Sequence, residues 1–318
     1  MSRQVMAMHW SNWDRTDLAV ERAAIVRERT GEIPGLESSQ EQINGITITR
    51  VQVTHAYAAS RVGKPPGRYF TLECPELKYR NRTLLKNVAQ IIAEELTALA
   101  GLPRQNDILV VGLGNWQATP DALGPRVVSQ LMVTRHIREY ISQDLGGRLY
   151  PVAAISPGVL GITGMETADI VRGIVQQIKP ELVITVDALA ARSPSRLFST
   201  IQIADTGIQP GSGVGNNRPG LNTESLGVPV IAIGVPTVVS GASIAVDVLQ
   251  DYFSRFNPHA RPTIDSVHDF LSQDLLELMV THKDVDMQIM EISKLLASAI
   301  NKATQPAITE EEMLDYLQ

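Results

Sequence analysis

Hydrophobic positions along the chain follow two periods, and the change from one to the other marks out the elements. Ile46 to Thr54 (ITITRVQVT) alternates apolar and polar residues and predicts a half-buried strand. The Pro-Pro-Gly content of VGKPPGR, 62–68, predicts a turn, and RYFTLEC then reads as a second strand, so 46–74 is expected to form a hairpin-like unit. From 81 to 100 the period becomes helical, with Leu84, Leu85, Val88, Ile91, Ile92, Leu96 and Leu99 on one face and Gly101 and Pro103 as the stop. Continuous apolar runs at Ile108–Val111, Leu182–Val186 and 228–236 read as buried strands, with a further strand at 149–155. Helices are expected at 18–29, from Val127 to Tyr140, at 166–178 and from 240, and mostly helix from 264 to 318. RLFSTIQIAD, 196–205, alternates like a strand lying antiparallel or at an edge, and 206–227 is a long Gly-, Asn- and Pro-rich loop. Strands alternating with helices across 81–253 predict an α/β fold, with a mixed, mostly parallel sheet covered by helices, a small N-terminal β unit and a helical C-terminal region.

Composition narrows the class. With 318 residues and 44% hydrophobic content, the chain can bury a large core. The net charge of -6 and an aromatic content of 5% argue against a basic groove or base-stacking platforms, so no direct nucleic-acid binding is expected. No apolar stretch reaches the roughly 20 residues needed to span a bilayer, and the N-terminus lacks a signal-peptide core, so no membrane partner is expected. Cys74 is the sole cysteine, which excludes an internal disulfide and fits a reducing, cytoplasmic compartment; it reads as a buried structural thiol.

Two aspartates stand out by position. Asp121 lies in the loop beyond strand 108–111, and Asp187 directly follows strand 182–186. Functional groups in open α/β sheets collect just past the carboxyl ends of strands. Two carboxylates placed there can share a proton or hold a metal, and either arrangement activates water. The bland alternative is that Asp121 caps the helix that follows. Gly112-Leu113-Gly114 starts like a dinucleotide fingerprint, but Gln117 stands where the third glycine belongs, so its glycines read as a tight turn whose backbone approaches a ligand. The run from Gly211 to Gly215 lacks the Lys-Ser/Thr of a phosphate loop and reads as a surface loop or a substrate-facing lid. There is no HExxH and no GxSxG, and no histidine falls between His136 and His259.

RTDLAVE (15–21), GLGNWQATPDALGP (112–125), PGVLGITGMET (157–167), VDALAARSPSRL (186–197), DTGIQPGSGVGNNR (205–218) and GVPTVV (234–239) together resemble the germination protease family of spore-forming bacteria over nearly the whole chain. The resemblance implies an endopeptidase that cleaves small acid-soluble spore proteins in the forespore or spore core, with Asp121 and Asp187 catalytic. It also implies a homotetramer and a zymogen that removes its own propeptide. The family preference is an acidic residue at P4, Glu or Asp at P1, a hydrophobic residue at P1′ and Ala at P2′. Asp14, Asp17, Leu18 and Ala19 match it in order, which implies a cut between Asp17 and Leu18, a propeptide of residues 1–17 and a single peptidase domain over 18–318. The segments around Asp121 and Asp187 are also similar to hydrogenase-maturation endopeptidases, which implies a three-layer α/β/α sandwich. The downstream metal-binding His of those enzymes is missing, which favours a carboxylate-only mechanism with no metal and no cofactor. Backbone amides of Gly112, Gly114 and Asn115 are the expected oxyanion donors. A metal-dependent endopeptidase using the same two aspartates as ligands is the alternative, and a non-catalytic nucleotide-binding protein is the reading from a different class.

Overall fold

The computed structural model describes residues 16–79, 81–104, 106–137, 148–211, 218–256 and 270–317. Its strands form one mixed sheet in the order β1(Leu36–Ile43)-β2(Ile46–Val53)-β3(Gly67–Glu73)-β7(Thr200–Ala204)-β8(Val230–Ser240)-β6(Leu182–Ala191)-β4(Ile108–Gly112)-β5(Val152–Ile155), with β9 (Met279–Val280) against β8. β5, β4, β6 and β8 run parallel, whereas β1, β2, β3 and β7 pair antiparallel. The expected mostly parallel sheet therefore holds for one half only. The N-terminal β unit is not separate, because β3 pairs with β7 and so extends the central sheet.

Helices cover both faces, giving three layers. On one face α3 (Arg82–Ala100), α4 (Leu123–Val128) and the long C-terminal helix Val285–Thr304 pack on Ile108, Val110, Ile184, Val186, Ile201 and Ile233. α3 starts where the Asn81 side chain accepts from the Thr83 and Leu84 amides at 3.0 and 3.2 Å, and stops at Gly101 in the left-handed region. On the opposite face, the helix Thr167–Ile178 packs on Leu109, Val111, Val183 and Val230. The antiparallel half of that face is covered by α1 (Ala19–Thr30) and α2 (Ala56–Val62), over Val51, Val53 and Tyr69. Among the described residues, no helix is long and apolar enough to cross a membrane.

Four expectations change. The segment 46–74 is an antiparallel pair of strands, but α2 and not a turn alone joins them. Thr200–Ala204 is antiparallel but interior, flanked by β3 and β8. The strand at 182–186 continues through Asp187 to Ala191, because β8 goes on pairing with it: Asp187 lies opposite Gly234 and Leu189 opposite Pro236. The helix expected from Val127 to Tyr140 ends at Val128. The chain beyond it is pulled out of helix by fixed partners: the Met132 amide donates to the Asn301 side chain at 2.9 Å, and Thr134 exchanges bonds with Val152. Residues 138–147 of that expected helix lie outside the described ones.

Candidate active site

Glycine packing sets the first carboxylate. Gly112 ends β4, and a Cβ there would sit 2.2 Å from the Gly124 carbonyl oxygen. A Cβ on Gly124 would in turn meet Leu113 O at 2.3 Å and Val186 O at 2.6 Å. The start of α4 is thus pressed directly onto the ends of β4 and β6, a backbone approach that only glycine permits. Gly114, at φ 110, closes the turn from the other side, with room for no Cβ against the Asp121 carbonyl. This apposition holds the turn Thr119–Asp121 beside β6.

Asp121 is not a helix cap. Its Oδ2 accepts from the Asn115 amide at 2.8 Å, back toward the glycine turn, and α4 has no side-chain cap. The turn's amides are also committed: Leu113 N–H donates to Val186 O at 2.8 Å, and Asn115 N–H serves Asp121. Gly112 and Gly114 are packing positions as well as turn residues, and the Asn115 amide is bonded to Asp121. Of the expected oxyanion donors, the Asn115 amide is therefore bonded within the protein.

Asp187 sits in the interior of β6, 6% exposed, just beyond the last β4 pair at Gly112–Val186. Its Oδ1 accepts from the next amide, Ala188, at 2.9 Å. Burial pushes its carboxyl well above the usual range, with the charges of Asp121 and then Asp17 adding to the rise. Burial likewise raises Asp121, to about 6, against the opposing pull of the Asn115 amide. The turn carrying Asp121 lies against β6, near enough for its charge to act on Asp187, and the charge of Asp17 acts on Asp187 as well. Among the described residues, no three His, Cys, Asp or Glu side chains gather as a metal-binding set.

The segment at Asp17 and Leu18 lies against the same strand. Asp17 N–H donates to Ala190 O at 2.9 Å, and Asp17 Oδ2 accepts from Ala190 N–H at 2.9 Å. Ala190 follows a register shift between β6 and β8, and both of its backbone polar groups bond Asp17. Leu18 is fully buried on Leu189 and Ala191. Glu21, one turn into α1, ties the segment down: it takes the Thr16 hydroxyl, the Arg192 and Ser193 amides at 2.9 and 3.2 Å, and the Arg196 guanidinium at 3.1 Å. Asp17, Arg22, Lys64, Leu189, Gln202, Gly234 and Asn222 are among the residues lining a cleft of about 300 Å³. The foot of the Gly-rich loop borders this cleft through Ile208 and Gly220; Ile208 bridges to Leu221 nearby, and 212–217 lie outside the described residues, as do Asp14 and Arg15. Gln202 and Lys64 have no motif to announce them, whereas Glu21 closes the RTDLAVE motif; each is a single polar residue whose partners lie far away in sequence. Cys74 is buried with its thiol pushed up by that burial, as expected of a structural cysteine.

Residues 13–263 match the germination protease family. The chain is similar to the germination protease of Caldanaerobacter subterraneus subsp. tengcongensis, at 46% identity over 318 residues covering 95% of this chain and 98% of that one. It is 42% identical to the germination protease of Clostridium tetani, over 95% of this chain and 99% of the relative, and 39% identical to that of Bacillus cereus, over 95% and 96%. Among solved structures it matches the NiFe hydrogenase maturation protease HycI from Thermococcus kodakarensis KOD1, with TM-score 0.32 and 16% identity, covering 64% of this chain and 98% of that one. The molecule is thus an α/β peptidase. It belongs to the germination protease family, and its place is with spore proteases.

Proposed function

We propose that this protein is a self-processing endopeptidase that cuts its own chain between Asp17 and Leu18 and then degrades small acid-soluble spore proteins during germination. It cleaves after Glu or Asp and before a hydrophobic-Ala pair, and acts in the spore core as a homotetramer. The observation that carries the reading is the seating of the Asp17–Leu18 segment on β6, the strand that holds the buried Asp187, whose carboxyl is raised by burial and by the charge of Asp121. Residues 1–17 are then a propeptide, and the rest is one peptidase domain.

The chemistry follows from burial. Two carboxylates close together in a poorly solvated site do not both ionise, so the pair keeps one proton. Asp187 is the more buried and has the stronger rise, so it holds that proton; Asp121, raised only to about 6, ionises first. Asp121 takes a proton from water as the water oxygen bonds to the Asp17 carbonyl carbon. Collapse breaks the bond to Leu18 N, which receives the proton of Asp187. One carboxyl has gained a proton and the other has lost one, so the pair returns to its starting charge. No metal enters this scheme.

The test is processing of the full chain at mildly acidic pH. The product is expected to begin Leu-Ala-Val-Glu. Asp121→Asn and Asp187→Asn are each expected to slow the cut by about 10²–10⁴-fold with an unchanged circular dichroism spectrum. Near-normal processing in either folded variant, or a product starting elsewhere than Leu18, would overturn the proposal.

A further inference from the structure

One side chain grips both ends of the Asp17–Leu18 segment. Gln202 Nε2 donates to the Asp17 carbonyl oxygen at 3.2 Å, and Gln202 Oε1 accepts from the Ala19 amide at 2.6 Å. The partners fix the orientation of the amide, since a carbonyl only accepts and an N–H only donates. Gln202 lies opposite Gly234 in the sheet, and Gly234 lies opposite Asp187. Residues in such a row share one face of the sheet, about 5 Å apart from strand to strand, so Gln202 and Asp187 stand on either side of a position that has no side chain. Leu189 leans over that position: a Cβ on Gly234 would be 2.4 Å from its Cδ1. Leu18 packs on the same Leu189, so the bond after Asp17 lies over the face that Gln202 and Asp187 share.

From this juxtaposition we infer that Gln202 is a further catalytic residue, whose Nε2–H holds the carbonyl oxygen of the bond being cut and whose Oε1 fixes the amide two residues on. The inference rests on the reading of Asp17–Leu18 as the cleaved bond. When the water oxygen adds to the Asp17 carbon, the π electrons move onto the carbonyl oxygen, and Gln202 Nε2–H faces the charge that forms there. The charge returns as the bond to Leu18 N breaks. The Leu113 and Asn115 amides of the glycine turn are already bonded within the protein, whereas Gln202 Nε2–H is bonded to the Asp17 carbonyl oxygen. Gln202 is only 8% exposed, and a buried amide needs both of its partners. An incoming substrate strand supplies the same carbonyl and amide once the segment before Leu18 has left, so the same grip serves other chains.

The experiment is single-turnover self-processing of the full chain carrying Gln202→Met or Gln202→Glu, beside wild type and Asp187→Asn, across pH 5 to 8. Gln202→Met keeps the length and loses both bonds, and is expected to slow the cut by about 10²–10³-fold. Gln202→Glu keeps the acceptor and has a donor only when protonated. Its rate relative to wild type is therefore expected to be low at pH 8 and to recover on acidification, a response that a purely structural role would not give. If Gln202→Met fails to fold, the pH response of Gln202→Glu decides alone, and a rate ratio that does not change with pH refutes the inference. Should Gln202→Met cut at the wild-type rate while Asp187→Asn stays uncut, Gln202 has no such role and the aspartate pair stands. Should both variants cut normally, or the product begin elsewhere than Leu18, the proposed function falls, and the inference with it.

Discussion

The two halves of the sheet contribute different groups to the candidate site. The parallel half, β5-β4-β6-β8, carries Asp121 and Asp187 on a backbone pressed so close that glycines are required at the contact. The antiparallel half, β1-β2-β3-β7, carries no member of the pair; from its strands and connections it supplies Gln202 and Lys64 to the cleft that Asp17 lines. On the proposed reading, chemistry and grip come from opposite sides of β8. Two carboxylates that must share a proton need a rigid, dry setting, which a parallel sheet buried on both faces provides. A peptide that must enter and leave needs polar partners on a surface that opens, and strands joined by loops and short helices provide those.

The comparison is broken most severely at Gly124. A Cβ there has nowhere to go, because the atoms it meets are the backbone of Leu113 and Val186 at 2.3–2.6 Å. Gly124→Ala is expected to push α4 off the strand ends and move Asp121 away from Asp187. Overpacking of this kind costs about 1–3 kcal/mol, and misplacement of a catalytic group by about 1 Å costs on the order of 10²-fold in rate. Urea denaturation and self-processing rates measure the two effects separately. An equivalent change in the grip region, Gly220→Ala, meets only a side-chain nitrogen of Asn222 at 3.3 Å and Ile208 O at 3.6 Å, and is expected to leave stability nearly unchanged. Similar losses at both glycines would show that the two regions are equally rigid.

The two halves also differ in how far the sequence discloses them. Buried parallel strands announce themselves as unbroken apolar runs, so Ile108–Val111 and Leu182–Val186 were legible, and with them the positions of Asp121 and Asp187. The continuation of β6 through Asp187 was not, since Asp-Ala-Leu-Ala-Ala has no strand signature of its own and is held extended by pairing with β8. β1 was missed because LESSQEQI buries only Leu36; an edge strand wet on both faces shows no alternation. The glycines at 112 and 114 could be read as a tight turn, but not as a packing contact, because the partner at Gly124 becomes visible only when α4 folds back. Gln202 follows the same logic. In an alternating strand a glutamine reads as an outward polar residue, and only the return of residues 17–19 onto β7 gives it a role.

Acidity separates the halves by a second measure. Asp121 has a folded pKa of about 6, raised mainly by burial, against an ordinary value of 3.8. A carboxyl raised in this way binds its proton more tightly in the folded chain than in the unfolded one. Its contribution to stability is therefore fully present below about pH 3.8 and is lost as pH rises through about 6. Asp187, raised further still, extends the loss to higher pH. Asp121→Asn cannot ionise and can still accept from Asn115. Relative to wild type it is expected to gain about 2 kcal/mol of stability between pH 4 and pH 7, read from denaturant midpoints at each pH. A difference between the two proteins that stays constant across that range would mean that Asp121 titrates normally and that the pair does not share a proton.

The smallest effect is expected at Lys64, which lies in the connection between α2 and β3 and lines the cleft with Asp17 and Arg22. Burial pulls its ammonium down to about 8, Arg22 adds to the fall, and the carboxylate of Asp17 opposes it. The ammonium is thus charged below about pH 8 and neutral above, and it feels the charge of the acidic residue just before the proposed cut. A charge-assisted contact at a partly wet cleft contributes about 1 kcal/mol, so Lys64→Met is expected to slow self-processing by roughly fivefold at pH 6.5 without loss of fold. The sign of the pH response distinguishes this from loss of packing. As pH passes 8 the wild-type lysine loses its proton and its advantage, so the two rates should converge. In a chain also carrying Asp17→Asn, Lys64→Met should have little effect at any pH. A fivefold gap that persists at pH 9.5, or in the Asp17→Asn background, would assign Lys64 to holding the cleft wall in shape and leave the recognition of the acidic side chain to Arg22 and the Ala190 amide.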